Sequence, residues 1–404
     1  MMSFNALVVV SMCYVTLLFA VAYLAERRAA EGHSNWLHSP WIYTLSLSIY
    51  CTAWTFYGAV GYAARSGLEF VTIYLGPTLV MVGWWWILRR LVRIGRAQRV
   101  TSIADLISSR FGKSTQIGMI VTVISVIAGT PYIALQLQSV TLSFAVFAQL
   151  EGASWQQAEL TLTAMWVAIG LVVFTVLFGT RNLNANERHH GIVMAIAVEA
   201  VVKLLALVAV GVFVVWGVAG GPGAMMARID ASDIVLWDQD GSRWISLIFL
   251  SAAAFICLPR MFQVLVVENA DERHLHVASW AFPLYLFLMS LFVVPIAVVG
   301  LDLLPAGSNP DLFVLTVPLS QGQSGLAVLS FLGGFSSATS MVIVATIALA
   351  TMVSNHIVVP LWLKRQAHEQ AVMSGDVRYV ILLSRRLSIA GILALGFFYY
   401  LSLI

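Results

Sequence analysis

The sequence predicts an all-α polytopic membrane protein, and three observations support that fold class. Hydrophobic residues make up 60% of the chain, whereas charged residues make up only 10%. The mean hydropathy is +0.89, which is far above that of soluble domains. Apolar runs long enough to cross a bilayer recur along the whole chain. Each run is expected to be a helix, because lipid-facing backbone must satisfy its own hydrogen bonds.

Ten apolar runs are candidate membrane segments. The first has no basic n-region and no small-residue cleavage site, so we interpret it as a retained helix. The three cysteines lie inside apolar runs and indicate no disulfide framework. The last run reaches Ile404 without a polar tail, so we expect further chain beyond it. The ten runs are 6–24, 41–62, 70–87, 116–148, 160–178, 191–218, 244–267, 277–299, 326–359 and 387–404.

Basic residues alternate between the two sets of loops that these segments create. One set holds only Arg65, Arg228 and Arg243. By the positive-inside rule the other, richer set is cytoplasmic, which places the N-terminus outside. Because the clusters follow this alternation, we expect no nucleic-acid partner. The richer set comprises Arg27, Arg28, Arg89, Arg90, Arg93, Arg96, Arg99, Arg110, Lys113, Arg181, Arg188, Arg260, Arg273, Lys364, Arg365, Arg378, Arg385 and Arg386.

Glu199 and Lys203 are charged residues inside the apolar run 191–218. Charge at this depth is costly and usually marks function or a deliberate pair. The two residues are one helical turn apart, with the acid first, which favours contact on one face. They could form a proton or substrate relay, or a structural pair. We favour the structural pair, because the helix supplies both partners itself.

Several segments resemble the sodium:solute symporter family, which has the leucine-transporter fold. They are TLSLSIYCTAWTFYGAVGYAARSG, TSIADLISSRFGKS and FLGGFSSATSMVIVATIALATMVSNHIV. A narrower resemblance is to the symporter-type membrane domain of bacterial sensor histidine kinases. It is carried by GTRNLNANERHHGIVMAIAVEAVVKLLAL, CLPRMFQVLVVENADERHL and NPDLFVLTVPLSQGQ.

The resemblance implies a leucine-transporter-like inverted-repeat fold with about ten transmembrane helices. One symporter-like membrane domain would then cover residues 1–404. It would comprise a peripheral helix at 6–24, a first repeat at 41–218 and a partial second repeat at 244–404. The second repeat is expected to be incomplete, because it supplies four segments where the fold uses five.

The resemblance also implies a function. Its main interpretation is a transport and solute-sensing domain, the input part of a sensor histidine kinase of a two-component system. The alternative is a free-standing cation-coupled transporter of a small solute such as an amino acid or a carboxylate. Expected partners are the bilayer of the bacterial cytoplasmic (inner) membrane, the solute, a C-terminal kinase module and its response regulator. The chain itself shows no catalytic site, although the resembled full-length proteins are histidine kinases.

A sodium site is implied by match to the family motif. Carbonyls of Ser48 and Cys51 would come from the second segment, 41–62, which resembles the first core helix of the family. Gly333 would add a carbonyl from the ninth segment, 326–359. Ser336 and Ser337 would add hydroxyls, with local unwinding at Gly333-Gly334. The alternative is that these small residues only allow close helix packing. Tyr50 stands where some family members carry an aspartate.

The substrate would lie near the same midplane. The candidate residues on the first core helix are Tyr50, Thr52 and Trp54. The other candidate residues follow a predicted helix break at 129–131, which ends in Pro131. In-membrane glutamines suggest a polar cavity. The alternative is a kinked helix whose glutamines bond to neighbours. The candidates beyond the break are Tyr132, Gln136 and Gln138.

Two further groups receive no role in binding. Arg260 follows Pro259, and we expect it to reach the membrane interface or to pair with Glu268. The polar run Glu187-Arg188-His189-His190 is interpreted as a solvated loop and not as a metal site, because no third ligand at metal spacing follows.

Overall fold

The structure is a computed structural model that describes residues 4–31, 39–149, 157–179, 190–232, 234, 241–368 and 377–403. Within these residues the ordered elements are all helical. The helices are α1 Phe4–Ala30, α2 Pro40–Ser46, α3 Ala59–Ser66, α4 Thr72–Val82, α5 Leu88–Gln98, α6 Ile103–Arg110, α7 Thr115–Gln149, α8 Gln157–Gly179, α9 His190–Val212, α10 Pro222–Asp230, α11 Gly241–Cys257, α12 Pro259–Phe262, α13 His274–Ser290, α14 Val293–Leu303, α15 Phe313–Ser320, α16 Ser324–Val353, α17 Val359–His368 and α18 Val377–Leu403.

Seven helical stretches in the described residues are long and apolar enough to cross a membrane, and a bent pair makes an eighth. They correspond to eight of the ten predicted segments. The remaining two, 41–62 and 70–87, contain shorter helices. The first run is interrupted near Cys51, and the helix in the second ends at Val82, before a turn at 83–87. The sequence did not predict this break or this early end.

The first core helix consists of two pieces. Ser39 caps α2, and Pro40 opens it, as expected at a helix N-terminus. A 3₁₀ turn, Leu47–Tyr50, then ends at Cys51, whose ψ of 91° is extended. The chain resumes as a π-helix, Trp54–Gly58, that leads into α3. Extended backbone between two helical pieces leaves main-chain groups without helical partners.

A second break lies between α11 and α12. Leu258 has an extended ψ of 132°, and Pro259 opens the next piece. The two pieces meet at an angle of 55°. A residue before proline is disfavoured in the α region, so the Leu258-Pro259 sequence sets this bend.

Two expected interruptions are absent from the described helices. Helix α7 continues through Pro131, and α16 continues through Gly333 and Gly334. The prediction of unwinding at the glycines is therefore wrong. A Cβ at Gly334 would lie 1.9 Å from the Tyr57 Oη, and one at Gly333 would lie 2.6 Å from the Ala206 Cβ. These glycines allow α16 to approach its neighbours, which is the packing alternative.

Helix α16 lies at the centre of the molecule, against α9, α7 and α18. Most of its side chains from Ser336 to Met352 are buried. Helix α1 packs against α9, and α11 packs against α4. This arrangement brings the break in the first core helix against α9 and α16, and so positions the site described below.

Candidate functional site

Two chambers lie beside the break in the first core helix. The large chamber has a volume of about 450 Å³ and extends to Asn309 and Asp311. The small chamber has a volume of about 210 Å³ and extends to Arg260. Trp54 and Tyr132 line both chambers, so the two are adjacent.

The structure brings every predicted substrate residue to one of these chambers. Gln136 and Gln138 line the large chamber. Tyr50 and Thr52 line the small one. Residues from α7 and from the first core helix, about 80 positions apart in the chain, thus face common space. Lining a chamber is a placement and not yet evidence of binding.

Gln136 also bonds to the broken helix. Its Oε1 accepts a hydrogen bond from the Ala53 main-chain N–H at 3.0 Å. Its Nε2 donates to the Tyr132 carbonyl at 3.4 Å. Gln136 therefore lines a chamber and also bonds to its neighbours, so the cavity and the neighbour-bonding interpretations are compatible. Its side chain pairs a main-chain N–H at the start of the second helical piece.

Lys203 is fully buried, and its ammonium meets the carbonyls predicted for sodium. The Nζ donates to the Cys51 carbonyl at 3.1 Å and to the Ser48 carbonyl at 3.3 Å. The Ser340 hydroxyl lies at 3.5 Å. We call the carbonyls of Ser48 and Cys51 the carbonyl pair. A positive charge already occupies this pair in the structure.

Glu199 takes a different partner. Its Oε1 accepts from the Thr339 hydroxyl at 3.0 Å. Among the described residues, no hydrogen bond or ion pair joins Glu199 to Lys203. The two side chains thus make no direct contact, and their role as a structural pair stays a prediction. The carbonyl pair of the break and the Thr339 hydroxyl of α16 offer each side chain a separate partner.

The hydroxyls predicted for sodium are engaged elsewhere. The Ser336 Oγ lies 2.5 Å from the Tyr14 Oη. The Ser337 Oγ donates to the Gly333 carbonyl at 2.9 Å. The structure thus brings the five predicted ligands to facing helices, but only the carbonyl pair contacts a cation.

Arg260 does not reach the membrane interface. It is 4% exposed and lines the small chamber. Its guanidinium carbon lies 4.6 Å from the centre of the Tyr132 ring, in cation–π geometry. The expected partner, Glu268, instead accepts from Gln263 at 3.1 Å. The expectation for Arg260 is therefore wrong, because the bend at Pro259 turns this residue inward.

Ion pairs lie at both ends of the helix bundle. At the chamber rim, Arg65 bonds to Asp311 at 3.0 Å. At the basic end, Arg93 bonds to Glu272 at 2.6 and 3.0 Å. The hydrogen bond from Arg93 lowers the pKa of Glu272 to about 2. Each contact joins segments that are distant in sequence, Arg65 of α3 to Asp311 and Arg93 of α5 to Glu272.

A further network at the basic end joins α6 to Ser354–Val358, a π-helical segment between α16 and α17. His356 Nε2 lies 3.1 Å from the Asp105 Oδ1. Burial raises the pKa of Asp105, but hydrogen bonds from His356 and Thr101 outweigh it and lower that pKa overall. The sequence analysis did not identify this contact, and a histidine in an apolar segment was its only available signal.

Within the described parts of the chain, no group of three or more His, Cys, Asp or Glu side chains could hold a metal ion. Residues 187–189 of the polar run considered above lie outside the described residues.

Comparisons with known proteins place this geometry in a fold. No family model matches the sequence, and no curated protein matches it. A Na⁺-coupled sialic acid symporter, solved in a substrate-bound outward-open state, matches with a TM-score of 0.72 at 13% identity. The match covers 98% of this chain and 82% of that one. A manganese transporter of Eremococcus coleocola matches with a TM-score of 0.49 at 13% identity, over 92% and 79% of the two chains. The chain is therefore an all-helical, multi-pass membrane protein with a leucine-transporter-like fold.

Proposed function

We propose that this protein is a cation-coupled secondary transporter of a small solute. One observation carries the proposal: a broken helix presents its carbonyl pair to a buried cation, directly beside two chambers. In transporters of this architecture, solute and ion sites meet at discontinuous helices near the midplane. Alternating access would move one part of the bundle against the rest around these chambers.

Sodium is the first candidate for the coupling ion. It would use the carbonyls of Ser48, Cys51 and Gly333 with the hydroxyls of Ser336 and Ser337. The likeness to a Na⁺-coupled symporter supports sodium, and so does the facing arrangement of these groups. Sodium entry would require the Lys203 ammonium to withdraw or to lose its proton, because two cations cannot share the carbonyl pair.

The proton is the second candidate, and the position of Lys203 favours it. A protonated Lys203 supplies the carbonyl pair with one positive charge, and a neutral Lys203 removes that charge. Glu199 on the same helix and the buried Cys51 thiol are titratable groups nearby. Tyr285 of α13 also faces this region, donating to the Ala200 carbonyl at 3.0 Å. Protonation at Lys203 could thus drive the same conformational change that sodium drives elsewhere.

The test is transport by purified protein in proteoliposomes. A mixture of radiolabelled amino acids and small carboxylates is offered under an inward sodium gradient, an inward proton gradient, or neither. We expect accumulation above the external concentration with one gradient, and loss of that accumulation with the matching ionophore. Equilibration without accumulation under both gradients would overturn the proposal.

The sodium ligands have a specific test. Ser336→Ala with Ser337→Ala should remove any sodium dependence of solute binding or uptake. The matched control is Ser279→Ala with Ser290→Ala, since these exposed hydroxyls donate only to their own helices. Unchanged sodium dependence in the first double variant would refute the assigned ligands.

The link to a kinase is a separate proposal that rests on sequence resemblance alone. We propose that solute binding here sets the activity of a C-terminal histidine kinase module and its response regulator, in the inner membrane of a bacterium. An immunoblot of the native product tests this. A band much heavier than 44.1 kDa supports a fused output module, and a band at that mass contradicts it.

A further inference from the structure

We propose that Arg260 binds a carboxylate group of the transported solute in the small chamber. This inference rests on the proposed transport function and gives its substrate a chemical class. Nothing in the sequence analysis assigned Arg260 to binding. Four observations carry it: the burial of the residue, the lack of an ionic partner for it among the described residues, a hydroxyl that lines the same chamber and the adjacency of the two chambers.

The first observation is burial at a helix break. Arg260 is 4% exposed and lies in the first turn after the bend at Pro259. A guanidinium keeps its charge in proteins, so burial makes it costly unless an anion or several acceptors compensate. The face of the Tyr132 ring, 4.6 Å away, offsets part of this cost.

The second observation is the lack of a counter-ion. In the described residues, no carboxylate forms an ion pair with Arg260. Its Nε is buried with no hydrogen-bond partner among them. No acidic residue lines the small chamber. Buried charges are usually paired, so an unpaired one that lines a cavity points to an anionic ligand.

The third observation concerns the hydroxyls of the small chamber. Tyr50 donates to the Ile73 carbonyl, and Ser251 donates to the Thr72 carbonyl. Thr55 donates to the Thr52 carbonyl. The Thr52 hydroxyl differs, because it accepts from the Trp54 N–H at 3.2 Å and keeps its own hydrogen. It can donate that hydrogen to an anion held by Arg260.

The fourth observation is the position of the large chamber. It is adjacent to the small one, since Trp54 and Tyr132 line both, and in the proposed binding mode the solute places one end in each. Among the described residues that line the large chamber, Asp311 is the only charged one, and Arg65 pairs with it. A solute with one carboxylate and a small, largely uncharged remainder fits this distribution. A guanidinium can bind a carboxylate through two parallel hydrogen bonds, which adds orientation to affinity.

The experiment measures ligand binding by purified full-length chain in detergent. The probes are the twenty common amino acids, acetate, lactate and succinate, each read by thermal stabilisation. The best carboxylate is then compared with its own carboxamide. We expect the carboxamide to bind at least about 100-fold more weakly, because it cannot match the guanidinium as an anion does.

The variants separate binding from folding. Arg260→Gln should lose carboxylate binding by about 100-fold or more, and Arg260→Lys should recover part of it. Without ligand, Arg260→Gln should melt at or above the wild-type temperature, because it removes an unpaired buried charge. Arg27→Gln is the control, since Arg27 is exposed and pairs only with Glu31 one turn away.

Equal binding of the carboxylate and its carboxamide would overturn the inference. So would unchanged carboxylate binding by Arg260→Gln, or wild-type protein that binds no carboxylate in the panel. None of these results would bear on transport itself, because the gradient-driven uptake of other solutes in proteoliposomes is measured separately.

Discussion

Replacing Lys203 by Ala should create or strengthen sodium binding at the carbonyl pair. The ammonium lies 3.1 and 3.3 Å from the two oxygens that sodium would use. A sodium ion on the same oxygens would lie within about 4 Å of the ammonium. At an effective dielectric constant of about 20, that repulsion is about 4 kcal/mol, or about 1000-fold in affinity.

The assay is binding of ²²Na⁺ to immobilised protein over a range of pH. Wild-type affinity should rise with pH, because deprotonation of Lys203 removes the competing charge. Lys203→Ala should bind sodium more tightly, and its affinity should depend little on pH. Lys203→Met should show the same loss of pH dependence, but its longer side chain should partly block the sodium site. Lys364→Ala is the control, since that lysine is exposed in the middle of α17.

One result would refute this reasoning. If Lys203→Ala binds sodium no more tightly than wild type at the lowest pH, the ammonium does not compete for the carbonyl pair. Loss of all solute binding in Lys203→Ala, with sodium affinity raised, would instead support the proton as the coupling ion.

Two further predictions concern stability. Gly334→Ala should destabilise the protein by about 1–3 kcal/mol through overpacking against the buried Tyr57 ring, whereas Gly391→Ala, with nothing within 4 Å, should be neutral in thermal melts. The depressed pKa of Glu272 means that its pairing with Arg93 stabilises the fold above pH 4.5 and that this stabilisation is lost as pH falls towards about 2. The melting difference between wild type and Glu272→Gln should therefore be constant near neutral pH and should shrink in acid; a constant difference down to pH 2 would contradict it.

The two buried cations suggest how solute and ion sites communicate. On one side of the broken helix, Lys203 donates to the carbonyl pair, which includes the Cys51 carbonyl. Arg260 lies in the chamber lined by Thr52, the next residue. A change of charge at either site would act on neighbouring residues of the break, Cys51 and Thr52. Coupling between two sites requires an element that both sites contact and that has more than one arrangement. The break in the first core helix is an element that both sites contact.

Prediction from the sequence succeeded where a signal is local. The positions of the ten segments follow from hydropathy. The resemblance predicted Ser48 and Cys51 as sodium ligands; in the structure their carbonyls accept from Lys203, and their role in sodium binding stays a prediction. Prediction from the sequence failed at Gly333-Gly334. A glycine pair is compatible with local unwinding or with close helix packing, and the side chain packed against it determines which of the two occurs. Here that neighbour is Tyr57, on a different part of the chain.

The sequence by itself determined that this chain is a membrane protein, where its helices lie and which buried positions carry charge. Only the tertiary structure decided what those charges contact. Lys203 meets carbonyls 152 and 155 positions away, and Glu199 meets a hydroxyl 140 positions away. Hydropathy and helical spacing describe the chain over a few turns. The partners of Lys203 and Arg260 are set by how distant helices break and pack, which no local pattern encodes.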